Sequence, residues 1–215
     1  MNRRAELGAR LLSGSLDQLV RRGLRGVWVQ GRLPAGPVVW AANHHSWWDG
    51  FVASAVLSEL GRPGALLMQA DNLDRFRFLA PLGVIATGRP RQALQALRAG
   101  RVLVIFPERD LRAPGPVGPL APGAAWFAEQ APAVLVPVAV RISNRGHQYP
   151  EAYVDLGEPV AGAQLATALA DRLARLDARL TDGDPRQPLP GYHRLVSGRR
   201  SWDERLQRWS RARRR

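Results

Sequence analysis

Residues 37–60 read Pro37-Val38-Val39-Trp40-Ala41-Ala42-Asn43-His44-His45-Ser46-Trp47-Trp48-Asp49, then Gly50-Phe51-Val52-Ala53-Ser54-Ala55-Val56-Leu57-Ser58-Glu59-Leu60. Pro37–Ala42 is an apolar run of strand length, and Gly50–Leu60 carries a helical pattern. The spacing therefore predicts a strand, a short polar turn and a helix. His44 stands at the strand's carboxyl end and Asp49 in the helix's first turn. In an open α/β sheet that edge is where ligands bind. A carboxylate there can accept a hydrogen bond from one imidazole nitrogen, which leaves the other nitrogen as a general base. A His and a nearby Asp also form a capping pair or an ordinary polar contact, so the rest of the chain has to choose between these readings.

The pattern around this stretch repeats strand and helix. Residues 4–22 are expected to form an amphipathic basic helix on Leu7, Leu11, Leu12, Leu16, Leu19 and Val20. Strands are expected at Val27–Gln30, Pro37–Ala42, Ala65–Gln69, Val84–Thr87, Val102–Phe106, Val134–Ile142 and Ala152–Leu156. Helices are expected at Gly50–Leu60, Leu73–Leu79, Arg91–Ala99, Gly123–Gln130 and residues 162–181. Ala113–Pro122 reads as a Pro/Gly-rich loop, and Asp182–Pro190 reads as a linker. Beyond it Trp202, Leu206 and Trp209 share one face of a final basic helix. The expected fold is α/β: a single domain, with a mostly parallel or mixed central sheet flanked by helices. An N-terminal amphipathic helix and a basic C-terminal helix complete it.

Composition narrows the chemistry. The chain has 215 residues, 46% of them hydrophobic, which suits one domain with a substantial core. It has no cysteine, so disulfides, thiolate metal sites and cysteine nucleophiles are excluded. There is also no lysine, which removes Schiff-base chemistry and lysine general bases. The net charge of +13 is concentrated at the ends. Residues 1–32 carry +5 and residues 199–215 carry +6, leaving +2 for the 166 residues between. No apolar run approaches the roughly 20 residues of a membrane span, and no secretory leader is evident. A cytoplasmic protein, peripheral on the inner face of the membrane, is expected.

Three further segments follow the first in order: Gly83-Val84-Ile85-Ala86-Thr87-Gly88-Arg89, Phe106-Pro107-Glu108, and Val136-Pro137-Val138-Ala139-Val140. With Asn43-His44 and Asp49, this set resembles the glycerophospholipid acyltransferase family, which includes lysophosphatidic acid acyltransferase. That family's blocks are Asn-His-four residues-Asp (the HX4D motif), Gly-five residues-Arg, Phe-Pro-Glu-Gly-Thr-Arg and Val-Pro-Val. The resemblance covers about residues 37–142. It implies that His44 takes the proton from an acceptor hydroxyl attacking an acyl thioester, and that Asp49 orients it. It implies acceptor binding by Arg89 and by the third block. No Gly-x-Ser-x-Gly elbow is present, so direct transfer fits better than an acyl-enzyme.

The third block departs from the family pattern. Glu108-Arg109-Asp110-Leu111 replaces Glu-Gly-Thr-Arg, so a bulky cation holds the glycine position and Leu111 the arginine position. Glu108, Arg109 and Arg112 are the candidates there: either arginine for an anion, and Glu108 for an acceptor hydroxyl or as a loop cap. The acceptor stays open between a lysophosphatidic acid-like lipid and a glycolipid or carotenoid glycoside. The implied partners are this lipid, acyl-CoA or acyl carrier protein as co-substrate, and an anionic membrane surface. No cofactor, no metal and no nucleic acid is expected. His45 would face away from His44, since neighbours at a strand end point to opposite sides. The expected organisation is residues 1–32 as basic helix and first strand, 33–181 as the acyltransferase domain, 182–198 as linker and 199–215 as basic tail. A basic nucleic-acid-binding protein and a non-catalytic protein of the same fold are the alternatives.

Overall fold

The computed structural model describes residues 14, 16–75 and 83–212. The apolar run at its centre is strand β2 (Val38–Ala42), with all five residues buried. Helix α2 (Asp49–Glu59) follows after a six-residue turn. Before them come a helical stretch, α1 (residues 16–23), and β1 (Gly26–Gln30). After them come β3 (Gly64–Met68), α3 (Ala70–Arg75), β4 (Val84–Ala86), α4 (Pro90–Arg98) and β5 (Val102–Ile105). The chain continues through α5 (Gly123–Gln130), β6 (Val134–Ser143), β7 (Glu151–Leu156), α6 (Leu165–Asp182), β8 (His193–Ser197) and α7 (Trp202–Ala212).

The described strands make one eight-stranded sheet in the order β4-β3-β5-β2-β6-β7-β1-β8. The first five run parallel to one another. β7 is antiparallel to β6, β1 is parallel to β7, and β8 is antiparallel to β1. The sheet is therefore mixed, a single α/β domain as expected. β8 is brought back to the direction of β2, so their carboxyl ends reach the same edge of the sheet.

Alternation along the central strands divides the core. Val38, Trp40 and Ala42 of β2, with Val102 and Val104 of β5, face α2 and the end of α1. Val39, Ala41, Leu103 and Ile105 face α4 and α5. Burial on both faces is what makes β2 and β5 read as continuous apolar runs. α6 lays Leu173 and Leu176 against Trp28 and Tyr153 on the antiparallel half. Each fully buried side chain of this size contributes about 1.5–3 kcal/mol.

Pro137 sits within β6, where proline would ordinarily break a ladder. The β7 pairing of β6 begins only at Val138, so the missing N–H falls where no β7 partner waits.

Several expected boundaries move. The segment 182–198, expected as a linker, contains β8, whose register pairs Val29 with His193 and Val27 with Val196. Its exposed polar residues belong to a sheet edge with only Val196 fully buried, a pattern that looks like loop in sequence. The helix expected at Leu73–Leu79 begins earlier, at Ala70, and residues 76–79 lie outside the described residues. The amphipathic helix expected over 4–22 is described only from residue 14, with residue 15 outside, and it ends at 23. The helix expected over 162–181 is a 3₁₀ turn, Gly162–Gln164, followed by α6. No helix among the described residues is long and apolar enough to cross a membrane.

Candidate active site at the carboxyl edge of the sheet

The turn between β2 and α2 is built around one carboxylate oxygen. Asp49 Oδ2 accepts the backbone N–H groups of His45 and Ser46, each at 2.8 Å, and lies 3.0 Å from His44 Nδ1. Asp49 is 1% exposed, so three donors converge on a buried anion that must be paired. Because Nδ1 donates to the carboxylate, Nε2 carries the lone pair, and no described residue hydrogen-bonds it. The His44 ring stacks on Phe106 with centroids 4.3 Å apart, which fixes its second rotational freedom. The side chain remains 23% exposed.

Asn43 anchors the loop from the other side. Its amide donates to the Val140 carbonyl at 3.0 Å and accepts the Val140 N–H at 2.8 Å. A side chain thus continues the β2–β6 ladder past the last paired residue, inside the core, where both bonds are shielded from water. That is a physical reason for asparagine before the histidine.

His44 lines a cavity of about 1010 Å³. One stripe of α2, Gly50, Ser54 and Leu57, forms part of its wall, facing Leu66 of β3 and Val104 of β5. Arg62 and Arg101 line it near the amino ends of β3 and β5, so it extends along the sheet away from the histidine. At the histidine end Trp47 and Leu111 line it while being 53% and 55% exposed. The mouth therefore carries an apolar rim at Trp47 and Leu111, beside the exposed polar Asn72 and Arg109. Leu16 of α1 also lines the cavity, and the indole of Trp48 packs so closely on Gly23 that a Cβ there would stand 2.1 Å from it.

The candidates of the third block separate. Arg109 lines the cavity with His44 and holds φ +69°, the left-handed conformation that favours glycine. The loop has kept the glycine backbone and carries an arginine on it. Glu108 is 3% exposed and turned inward. It accepts the N–H groups of His44 at 2.8 Å and Gly118 at 2.7 Å, and approaches His45 Nε2 at 3.3 Å. Burial alone would raise its pKa, but the Gly118 and His44 N–H bonds and the His45 ring outweigh it and hold the carboxyl below its ordinary value. Its oxygens are occupied by the protein, so it is placed as the cap of the loop. Arg112 is exposed; its guanidinium lies 3.8 Å from Glu108, and its backbone N–H donates to the His44 carbonyl at 2.9 Å.

Arg89 is not brought to the cavity. It is exposed at the start of α4, beyond β4. Three strand spacings, about 14 Å, separate β4 from β2.

His45 points away from His44, as alternation requires. Its Nδ1 meets the Arg141 guanidinium, which also reaches Asp177 of α6. Arg141 and Asp177 help build the site although they belong to none of the four blocks. The available signal was a lone arginine inside the apolar strand Val134–Ser143, since a buried cation needs a partner.

The comparisons agree with this architecture. The family model described as Acyltransferase matches residues 26–141. Among solved structures, the 1-acyl-sn-glycerophosphate (LPA) acyltransferase PlsC from Thermotoga maritima is similar in fold. The TM-score is 0.61 at 16% identity, over 85% of each chain. No curated protein matches the sequence.

Proposed function

Because this chain belongs to the acyltransferase family, we propose that it moves a fatty acyl group from a thioester, acyl-CoA or acyl carrier protein, to a lipid hydroxyl. The observation that carries this is the His44–Asp49 contact at 3.0 Å in a residue that lines the cavity. His44 Nε2 takes the acceptor's proton as the hydroxyl oxygen attacks the thioester carbonyl. The tetrahedral oxyanion collapses, the carbon–sulfur bond breaks, and the departing thiolate recovers the proton from His44. Asp49 keeps the tautomer and stabilises the transient imidazolium. The stretch of cavity walled by Leu57, Leu66 and Val104 suits an acyl chain.

A lipid as acceptor is supported by the apolar residues at the mouth and by the fold shared with a lipid acyltransferase. Arg109 is assigned its polar or anionic headgroup, because of the candidate arginines of the second and third blocks it alone lines the cavity. A guanidinium there holds a phosphate bidentately or hydrogen-bonds sugar hydroxyls. Leu111 in the place of the family's arginine favours a neutral glycolipid-type acceptor over lysophosphatidic acid. Arg89 and Arg112 are assigned the outer field that attracts anionic substrates.

The eight-stranded sheet and its helices, β1 and β8 included, are assigned the catalytic domain, working on the anionic inner face of a membrane. The apolar rim and both basic ends support this.

His44→Ala and Asp49→Asn are expected to lower acyl transfer by at least about 10²-fold while leaving the fold intact. Thioester consumption measured beside circular dichroism tests this. Near-wild-type turnover in folded His44→Ala protein would remove the mechanism.

A further inference from the structure

Behind the candidate base lies a second, buried set of charged groups that the transfer step does not use. His45, Glu108 and Arg141 are 8%, 3% and 7% exposed. Arg141 reaches from β6 in three directions. Its Nε and Nη2 clamp the two Asp177 oxygens of α6 at 2.5 and 2.7 Å, Nη2 also donates to the Gly115 carbonyl at 2.6 Å, and Nη1 meets His45 Nδ1. On the far side of the ring, Nε2 faces Glu108, whose other bonds hold the His44 and Gly118 N–H groups.

The donor inventory fixes the protons. A guanidinium has no acceptor, so His45 Nδ1 must offer its lone pair to Arg141. Nε2 then carries the hydrogen and donates it to the Glu108 carboxylate. The order from α6 inward is anion, cation, neutral imidazole, anion, and then the backbone of His44 itself. Every link except Asp177 is shut away from water, where such chains are strong when complete and costly when one member is missing. No substitution of His45 by an apolar residue preserves it, since Glu108 and Arg141 would each lose a buried partner.

We propose that His45 and Arg141 are positioning residues of this enzyme. A charge chain from Asp177 through Arg141, His45 and Glu108 sets the tautomer of His45 and holds the His44 backbone where its ring meets Asp49. The inference rests on His44 being the base. It explains two adjacent histidines of different duty: one is kept neutral and donating, the other is left with a free lone pair. It also ties the long loop 108–121 to the reaction, because Gly115 and Gly118 hang on the same groups.

The test pairs a spectroscopic readout with kinetics. Nitrogen-15 imidazole spectra of the full-length protein should show His45 protonated on Nε2 only. In Arg141→Met, and in the less disruptive Asp177→Asn, this signature should weaken or be lost. The kcat should fall, by up to about 10²-fold in Arg141→Met, with the thioester KM changed less than twofold. Arg141→Lys, which keeps a donor to His45 but not the fork to Asp177 and Gly115, should recover the signature and part of kcat. His45→Gln, with an amide in place of the ring, is expected to fall between wild type and Arg141→Met. Wild-type His45 protonated on Nδ1 or on both nitrogens would overturn the proposal. So would folded Arg141→Met and Asp177→Asn with wild-type kcat. Loss of turnover in these variants while His44→Ala stays active would sink the base assignment instead, leaving the His45 signature to judge the chain.

Discussion

At the scale of single residues, Arg109 is where the sequence and the backbone pull apart. Its φ of +69° costs a side-chain-bearing residue roughly 1–2 kcal/mol, and the family's glycine would remove that cost. A strained residue that lines the site is evidence for a use of its side chain. Comparing two substitutions separates strain from function. Arg109→Ala keeps the strain and loses the guanidinium; Arg109→Gly loses both. We expect Arg109→Gly to be more stable than Arg109→Ala by roughly 1 kcal/mol, somewhat reduced by glycine's extra freedom in the unfolded chain. Both should raise the acceptor KM by a similar factor and leave the thioester KM unchanged. Thermal unfolding and two-substrate kinetics measure these. Equal stabilities would mean the left-handed backbone is not strained, and an unchanged acceptor KM would remove the headgroup role. Asp49 is the opposite kind of residue. Its one oxygen gathers three donors, so its identity was visible from the spacing to His44.

At the scale of elements, α7 is helical yet shows the solvent its apolar stripe. Trp202, Leu206 and Trp209 are spaced i, i+4 and i+7 and are 68%, 57% and 71% exposed. Exposed indoles between arginines suit a headgroup interface. The root of the helix is fixed: Glu204 accepts the Ser201 N–H at 2.9 Å and pairs with Arg25 at 2.8 Å. We expect the triple substitution Trp202→Ser, Leu206→Ser and Trp209→Ser to leave thermal stability within about 0.5 kcal/mol, as for surface changes. Sedimentation with anionic vesicles should drop severalfold, and activity on detergent-dispersed acceptor should persist. Unchanged vesicle binding, or binding to duplex DNA of equal strength and salt dependence, would discard α7 as a lipid-facing element. The helix was legible from its periodicity. The exposure of its stripe among the described residues was not, because an amphipathic stripe looks the same whether it meets a core or a membrane.

At the scale of the whole molecule, topology gathers what the chain scatters. β8 runs antiparallel to β1 and hence parallel to β2. The start of α7 therefore leaves the sheet from the edge that carries His44, and α1 enters β1 at that same edge. The carboxyl end of α1 and the start of α7 thus stand at the edge that carries the reaction mouth, which fits a single face laid on a lipid surface. β8 also covers the edge of β1, and bare edges invite aggregation. A chain ending after Ser201 should fold and keep detergent activity. A chain ending after Tyr192 loses the β1–β8 ladder and buried Val196, so it should unfold at lower temperature or precipitate. Light scattering with thermal denaturation distinguishes them. Equal stability of the two truncations would show that β8 adds nothing beyond a linker.

The sequence by itself determined the α/β class, the strands β2, β5 and β6, the helix after the histidine and the His44–Asp49 pair. These are local matters: apolar runs of strand length, helical periodicity, and two groups only five residues apart that one turn must bring together. The four ordered blocks also carried the family. What only the tertiary structure decided depends on residues far apart in the chain. Arg141 meets His45 across 96 positions, and Arg25 meets Glu204 across 179. β8 is a strand only because β1 offers it an edge, and its exposed face erases the alternation that would have announced it. Glu108 turned inward and Arg89 stayed outside because strand order, set by long-range pairing, fixes which carboxyl ends are neighbours.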